Sequence, residues 1–221
     1  MLSQAEENYI KEIYALEEET SQLVSTNAIA KKMSTKASSA TDMLQKLNQK
    51  GLVDYTKYRG AKLSAKGKSK AMTIVRKHRL WETFLVEKLG FNWDEVHDIA
   101  EQLEHIQSKT LTNRLDAFLE YPSFDPHGHP IPNVNGKIVA SESTLLAELK
   151  VHEGGVLVGV KDSSDHFLKY LSKINITIGD HIKVLDIEPF DNSVTISNKT
   201  AKLTISGNVA NNLYIHANEH V

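Results

Sequence analysis

The chain has 221 residues, of which 40% are hydrophobic, enough for one large domain or two to three small ones. It contains no cysteine, so disulfides, thiolate zinc sites, iron–sulfur clusters and cysteine nucleophiles are excluded. Its apolar runs are too short to cross a bilayer, and its first residues lack the layout of a secretory signal. We therefore expect a cytoplasmic protein with no membrane partner.

The net charge of −2 conceals a strong local asymmetry. Residues 31–80 carry fourteen Lys or Arg against two Asp, whereas the segments on either side are acidic. Such a basic block indicates polyanion binding, because Lys and Arg neutralise phosphates. A merely solvated face would have the same composition, so charge alone leaves both interpretations open.

The first third of the chain has the pattern of a winged helix-turn-helix. Helices are predicted over 3–19, 25–32 and 38–50, followed by β-prone runs at 52–55 and 61–64. Ser3 and Glu6 form a capping-box pattern at the start of the first helix, and Gly51 is a typical residue at the end of the third. The two β-prone runs predict a basic hairpin, the wing, with its tip at 57–60.

The rest of the chain changes from helical to β-rich at a Pro-rich segment. Helices are predicted over 66–89, 92–108 and 110–119, and strands over 156–160, 174–178, 181–187, 193–196 and 201–205, with one helix over 165–171. Residues 121–135 hold four of the five prolines and cannot continue a helix. The fold class is therefore mainly α with a β-rich C-terminal part, which we expect to be a small SH3-like barrel.

The basic residues of the predicted winged helix coincide with positions that read DNA. A recognition helix enters the major groove with its N-terminal residues, while a wing contacts the backbone or minor groove. We therefore predict contacts to double-stranded DNA from residues that begin the third helix and residues of the wing: Lys36, Ser38, Ser39, Thr41, Lys57, Arg59 and Lys62, with Tyr58 beside them.

Histidine and carboxylate residues recur at helical spacing in the middle of the chain. His78 and Glu82 are four residues apart, so they share one helix face. If 92–108 is one helix, a second stripe contains His97, Glu101, Glu104 and His105. Acids and imidazoles crowded together favour a divalent cation, and sulfur-free donors suit Mn²⁺, Fe²⁺, Co²⁺ or Zn²⁺. His127 and His129, on the Pro-rich segment, are expected to be exposed.

Three runs together resemble the diphtheria-toxin-repressor type of metalloregulator. They are NYIKEIYALEEE (8–19), RKHRLWETFL (76–85) and VHDIAEQLEHI (96–106). The resemblance covers about residues 5–135, and the third domain resembles the SH3-like module of the three-domain members in outline. It implies a DNA-binding domain over 1–65, a helical metal-binding and dimerisation domain over 66–120, a linker over 121–140 and the SH3-like domain over 141–221.

The resemblance also implies two metal sites. One would use His78, Glu82 and His97, completed from the third domain, where Asp162 and Asp165 are candidates. The other would use Glu101, Glu104 and His105, completed by Asn8. Oxygen donors at positions 8 and 101 favour Mn²⁺, with Fe²⁺ as the alternative and Zn²⁺ or Co²⁺ expected to bind in vitro. Lys11 stands where two-domain members place a bridging Glu, so a close binuclear arrangement is not expected.

The function that follows is a homodimeric, metal-activated repressor that binds a palindromic operator and controls metal-uptake genes. Metal held by Asn8 would tie the first helix to the dimer domain and fix the separation of the two recognition helices. One alternative is a winged-helix regulator with a non-metal ligand. A metallohydrolase is disfavoured, because HExxH, GxSxG and Gly-rich phosphate motifs are all missing, so we expect neither enzyme activity nor a small-molecule substrate.

Overall fold

The computed structural model describes residues 2–20, 23–138, 143–198 and 201–217. The helices are α1 (Gln4–Thr20), α2 (Thr26–Lys32), α3 (Ala37–Gln49), α4 (Ala65–Leu89), α5 (His97–Leu103), α6 (Lys109–Phe118), α7 (Asp165–Lys173) and α8 (Gly207–Ala210). The strands are β1 (Val53–Thr56), β2 (Gly60–Leu63), β3 (Thr144–Leu145), β4 (Gly154–Val160), β5 (His181–Ile187), β6 (Val194–Asn198), β7 (Ala201–Ile205) and β8 (Leu213–Ala217). A 3₁₀ turn covers Leu146–Glu148.

The chain separates into two compact units, which are described one at a time. The first comprises Met1–His78, Glu101–Asn113 and Pro132–Lys137. The second comprises Arg79–Ala100, Arg114–Ile131 and Ile138–Val221. Among the described residues, no helix is both long and apolar enough to cross a membrane.

The first unit contains the winged helix-turn-helix, as the sequence predicts. Ile10 and Ile13 of α1 and Leu44 and Leu47 of α3 are fully buried in one apolar core. The capping box is formed: the Ser3 amide donates to Glu6 Oε2 at 2.9 Å, and the Glu6 amide donates to Ser3 Oγ at 3.3 Å. The buried residues recur at the helical repeat, so α1, α2 and α3 pack together as the sequence predicts.

The wing is an antiparallel hairpin of β1 and β2, in which Val53 pairs with Leu63. Gly60 begins the return strand with a φ of +115°, and a Cβ there would lie 2.6 Å from the Val24 carbonyl oxygen. Val24 in turn exchanges two backbone hydrogen bonds with Ala61, of 2.8 and 2.9 Å. The glycine is required because the segment before α2 runs so close to the hairpin.

The predicted helix over 92–108 is wrong at both ends, since α5 is only His97–Leu103. Before it, the Glu95 carboxylate accepts hydrogen bonds from the Asn92 amide and side chain, which stabilise a turn. After it, the Ile106 amide donates to the Leu103 carbonyl, closing another turn. Glu104 and His105 therefore lie in that turn, and the helical-stripe argument does not apply to them.

The second unit contains a six-stranded antiparallel sheet in the order β3-β8-β4-β5-β6-β7. Its core includes Leu157, Leu171, Ile182, Ile196 and Leu213, each at most 2% exposed. This is the β-rich SH3-like part that the sequence predicts.

The predicted strand over 174–178 is wrong. The Ile174 amide caps α7, and Asn175 has a φ of +56°, which breaks an extended conformation. Ile176 is fully buried, so this apolar run packs into the core without forming a strand. A short buried apolar run has the same sequence pattern in either case.

Candidate metal-binding clusters and nucleic-acid interface

One cluster of ligand-type side chains lies in the first unit, where α1 meets the turn after α5. We call it the Glu104 cluster; its members are Glu7, Asn8, Lys11, His78, Glu101, Glu104 and His105. Glu104 is fully buried at its centre. Its carboxylate oxygens lie 2.7 Å from His78 Nδ1 and 2.8 Å from Lys11 Nζ. The sequence-predicted residues Glu104 and His105 are close: His105 Nε2 lies 3.9 Å from Glu104 Oε1.

Residues of α1 complete this cluster. Asn8 Nδ2 donates to Glu101 Oε1 at 3.4 Å, and His105 Nδ1 lies 2.7 Å from Glu7 Oε2. Asn8 Oδ1 is buried and has no hydrogen-bond partner among the residues that the structure describes. A buried acceptor without a donor is costly, and a cation would satisfy it. The four predicted ligands Asn8, Glu101, Glu104 and His105 therefore belong to one cluster whose oxygen and nitrogen donors suit Mn²⁺ or Fe²⁺.

The electrostatics of the cluster are set by burial and by its cations. Burial would raise the pKa of Glu104, but the hydrogen bond from His78 and the charge of Lys11 outweigh it and hold the pKa below 4.5. Burial lowers the pKa of the nearby Lys77 ammonium, although Glu7 and Glu104 partly oppose this shift. Glu104 is thus an anion stabilised by cationic neighbours.

A second cluster lies in the second unit and is centred on Glu82, which is 3% exposed. We call it the Glu82 cluster; its members are Glu82, His97, Asp125, His127 and His129. Glu82 lies 3.5 Å from His97 Nδ1 and 3.6 Å from His127 Nδ1. One ligand atom from each of Asp125, His127 and His129 lies within 4.8 Å of the others. The predicted residues Glu82 and His97 are therefore together, and His78 precedes Glu82 by one turn of α4.

His127 is oriented as a metal ligand would be. Its Nε2 is 2.8 Å from the Trp93 carbonyl oxygen, and its ring stacks on the Trp93 indole. A backbone carbonyl that accepts from one imidazole nitrogen leaves the other nitrogen available, here Nδ1 facing Glu82. Burial would lower the pKa of His127, but the Glu82 and Asp125 carboxylates raise it to about 9.

The expectation that His127 and His129 are exposed is wrong for His127, which is 1% exposed, and His129 is half-buried. Asp125 accounts for the difference. Its Oδ1 accepts from the His127 and His129 amides at 2.8 and 2.9 Å, so the Pro-rich segment folds into a tight turn in which His127 is buried and His129 is half-buried. The D-x-H-x-H spacing was the sequence signal for these residues, and the prolines around it obscured it.

Asp162, predicted as the ligand from the third domain, is exposed. Its Oδ1 accepts from the Ser164 amide at 2.8 Å, just before α7. Asp165 is also exposed and pairs with Lys169 at 3.8 Å. The ligand-type groups nearest Glu82 in this unit come instead from His97 and the linker turn.

The predicted DNA-contacting residues lie on the surface of the winged helix. Lys36, Ser38 and Ser39 are exposed around the first turn of α3, and no side chain caps that turn among the described residues. Thr41 is half-buried and donates to the Ala37 carbonyl oxygen at 2.8 Å, so its hydroxyl hydrogen is already used.

The wing places its basic residues on an exposed tip. Lys57, Arg59 and Lys62 are exposed, and Lys57 Nζ lies 5.1 Å from the centre of the Tyr58 ring. Tyr58, at the tip between Lys57 and Arg59, is 92% exposed. This surface carries positive charge and uncapped amides, both of which attract phosphate.

Two regions of the chain match models of iron-dependent repressors: the N-terminal DNA-binding domain over 1–61 and the metal binding and dimerisation domain over 64–133. A third region, 144–217, matches the FeoA domain. The iron-dependent repressor IdeR of Mycobacterium tuberculosis is 33% identical over 166 residues, 72% of either chain. A solved manganese-dependent transcriptional repressor in complex with manganese is 32% identical, with a TM-score of 0.86 over 96% of this chain and 99% of that one.

Other curated relatives are matched over a smaller share of their length. The chain spans 19% of a probable metal transport system membrane protein of Chlamydia trachomatis, at 43% identity over 86 residues. It spans 55% of the IdeR of Mycobacterium leprae, at 34% identity.

A winged helix in one chain with two clusters of carboxylate and imidazole groups defines a class of protein, the metal-responsive DNA-binding regulators. The chain belongs to the iron-dependent repressor family, the metal-dependent transcriptional repressors of the diphtheria toxin repressor type. The family resemblance in the sequence is thereby confirmed.

Proposed function

We propose that this chain is a homodimeric repressor that is activated by Mn²⁺, with Fe²⁺ as the alternative, and binds a palindromic operator. The names of its relatives support both metals, manganese for the solved repressor and iron for IdeR. The donor sets favour Mn²⁺, because oxygen and imidazole groups replace sulfur. The repressor would control genes of metal uptake and would act in the cytoplasm. Its role would be to regulate transcription and not to catalyse a reaction.

We assign one ion to Asn8, Glu101, Glu104 and His105. A second would be held by His78, Glu82 and His97, to which we add His127 and Asp125, and Asp162 stays a predicted further ligand. A divalent cation bound in the Glu104 cluster would supply positive charge shared between α1 and the turn after α5. The second assignment is supported by the inward orientation of His127 Nδ1 toward Glu82.

The residues of α1 would transmit the state of the Glu104 cluster to the DNA-binding surface. α1 packs on the recognition helix through one core that contains Ile10, Ile13, Leu44 and Leu47. Glu6 of the same helix is bonded to Lys46 and Lys50 at the end of α3. A shift of α1 would therefore carry α3 with it.

We keep the predicted division into residues 1–65, 66–120, 121–140 and 141–221 for the three domains and the linker.

On the DNA, we assign base reading to Ser38, Ser39 and Thr41, and phosphate contacts to Lys36, Lys57, Arg59 and Lys62. The uncapped first turn of α3 supports this assignment, because α2 by contrast is capped by the Ser25 hydroxyl, which accepts from the Ala28 amide at 3.1 Å. An uncapped N-terminus keeps its amide donors for phosphate.

The observation that carries the proposal is the convergence of Asn8 and Glu101, which are 93 residues apart in sequence. Glu101→Gln should therefore weaken Mn²⁺-dependent DNA binding about tenfold or more, since one anionic ligand is lost. The measurement is fluorescence anisotropy of a duplex selected from a random pool in the presence of Mn²⁺, titrated with protein at fixed metal.

The control is Glu87→Gln, a half-exposed residue of α4 whose carboxylate lies 3.6 Å from Lys88. It should bind the duplex as the wild type does. DNA binding that is indifferent to both Mn²⁺ and Fe²⁺ in the wild type would contradict metal activation and favour the winged-helix regulator with a non-metal ligand.

A further inference from the structure

The Glu104 cluster already contains a buried cation that belongs to the chain. The Lys11 side chain is 9% exposed, and its ammonium lies 2.8 Å from Glu104 Oε1, 2.9 Å from Glu104 Oε2 and 3.7 Å from Glu101 Oε1. Lysine is seldom buried to this extent without a counter-charge. The ammonium is thus shared between two of the carboxylates that we assign as metal ligands.

The charges of the cluster explain why the ammonium is held there. The cluster contains three carboxylates, those of Glu7, Glu101 and Glu104, and Glu104 is fully buried. A buried carboxylate needs a close cation or it takes up a proton. Lys11 gives Glu104 that cation at 2.8 Å, beside His78 Nδ1 at 2.7 Å.

The same contacts join α1 to the turn after α5 without any metal. Lys11 reaches Glu104, Asn8 reaches Glu101, and Glu7 accepts from Gln107 Nε2 at 2.7 Å. Of these α1 residues, only Lys11 brings a full positive charge to the buried Glu104. The link that a divalent cation is proposed to make is therefore made in part by Lys11.

We propose that Lys11 is the resident cation of the Glu104 cluster, and that a divalent ion binds there only by displacing its ammonium from Glu104. This inference rests on the proposed function and deepens it, since it concerns how the same site is regulated. Two cations on one carboxylate repel each other strongly when water is excluded. Lysine is suited to such an exchange, because its charge sits on a flexible stem that can rotate away. Lys11 therefore sets the metal concentration at which the cluster is filled.

The test measures Mn²⁺ binding calorimetrically in the full chain carrying Glu82→Gln, which weakens the Glu82 cluster so that the Glu104 cluster is observed. In this background, Lys11→Met should bind Mn²⁺ about tenfold more tightly or better, because the competing charge is removed while the apolar stem is kept. The matched control is Lys32→Met, an exposed residue of α2 that lies 3.8 Å from Glu12. It should leave the affinity unchanged.

A second readout needs no metal. In the presence of a chelator, Lys11→Met should unfold at a lower temperature than Lys32→Met, because Glu104 loses its counter-charge. In a Glu104→Gln background the same Lys11 change should cost little or should stabilise, since the ammonium then has no buried partner carboxylate to neutralise. If Lys11→Met does not fold, Lys11→Gln serves for both comparisons.

The outcomes separate this inference from the proposed function. Equal or weaker Mn²⁺ binding by Lys11→Met, where the parent binds, overturns the displacement and leaves the metal site standing. A metal-free stability no lower than that of Lys32→Met overturns the resident-cation role. If neither protein binds Mn²⁺ in the Glu82→Gln background, the assignment of a metal to the Glu104 cluster fails, and the displacement fails with it.

Discussion

At the residue scale, Glu6 shows how one carboxylate serves both local and tertiary structure. It completes the capping box of α1 and receives Lys50 Nζ at 2.6 Å and Lys46 Nζ at 3.0 Å from the end of α3. Burial would raise its pKa, but these lysines and the Ser3 amide lower it from 4.5 to about 2.

This pKa predicts an acid-dependent loss of stability. Because the folded-state pKa is depressed, the contribution of Glu6 is complete above pH about 4.5 and is lost as the pH falls towards about 2. Glu6→Gln should cost about 1.5–3 kcal/mol at neutral pH and should lose less stability on acidification. Urea unfolding of the metal-free protein at several pH values between about 5 and 3 measures both effects.

The control for Glu6 is Glu19→Gln, at the exposed end of the same helix, which should change stability by less than about 0.5 kcal/mol. If the two variants lose stability in parallel as the pH falls, the tertiary role of Glu6 is refuted.

Residue-scale prediction succeeded where spacing within one element was enough. The Ser3–Glu6 pair and the shared face of His78 and Glu82 follow from the helix repeat. Asp125 was missed and His127 was wrongly predicted to be exposed, because the conformation of both depends on hydrogen bonds inside an irregular turn. The helical or strand spacing of residues in the sequence does not predict the conformation of such a turn.

At the element scale, the linker turn of residues 125–129 is fixed against strand β4. The Val160 amide donates to the His127 carbonyl oxygen at 2.9 Å. Gly128 has a φ of +82°, and a Cβ there would lie 2.0 Å from the Val158 carbonyl oxygen and 2.2 Å from Gly159 Cα. The turn that carries Asp125, His127 and His129 is thus packed backbone to backbone on the sheet.

Gly128→Ala should therefore cost about 2 kcal/mol or more, because both the backbone conformation and the added methyl group are unfavourable. It should also weaken Mn²⁺ binding by the Glu82 cluster, since His127 is displaced. Urea unfolding and calorimetry of the Glu104→Gln variant, with and without the Gly128 change, measure the two effects.

Gly179→Ala is the matched control, because Gly179 has a φ of +90° but nothing within 4 Å of the added Cβ. Gly179→Ala measures the stability lost to the strained backbone alone, about 1 kcal/mol, without the steric clash that Gly128→Ala adds. Equal losses for the two glycines would show that close packing of the linker turn on β4 is unimportant.

The elements were predictable where their apolar residues recur at a regular helical or strand spacing. α1, α4 and α6 follow the helical repeat and β5 alternates, and the bounds expected from sequence agree with these elements within a residue or two. α5 was predicted too long, because side-chain turns at Asn92–Glu95 and after Leu103 end it. The short β3 was missed, since a two-residue strand is defined by its distant partner β8 and not by its own sequence. The five-residue β8 was also missed, although buried Leu213 and Ile215 alternate with the less buried Tyr214.

At the scale of the whole molecule, the distribution of charge matters more than its sum. The net charge is only −2, yet the wing and the start of α3 concentrate lysine and arginine on an exposed surface of the first unit. A protein of this kind binds DNA through local phosphate neutralisation, and its affinity falls steeply with salt. The total charge would predict no affinity at all.

Arg59→Ala should weaken binding to the selected duplex about equally for all sequences and reduce the salt slope by about one per protomer, because one phosphate contact is lost. Its guanidinium projects from the exposed wing tip, where the Arg59 amide donates to the Thr56 carbonyl oxygen at 3.0 Å, so the hairpin turn does not depend on the side chain. Anisotropy titrations with Mn²⁺ at several salt concentrations give the slope. Lys169→Ala, at an exposed position of α7, removes the same charge from the chain and should leave the slope unchanged. An equal effect of both variants would mean that net charge, and not the wing, governs DNA binding.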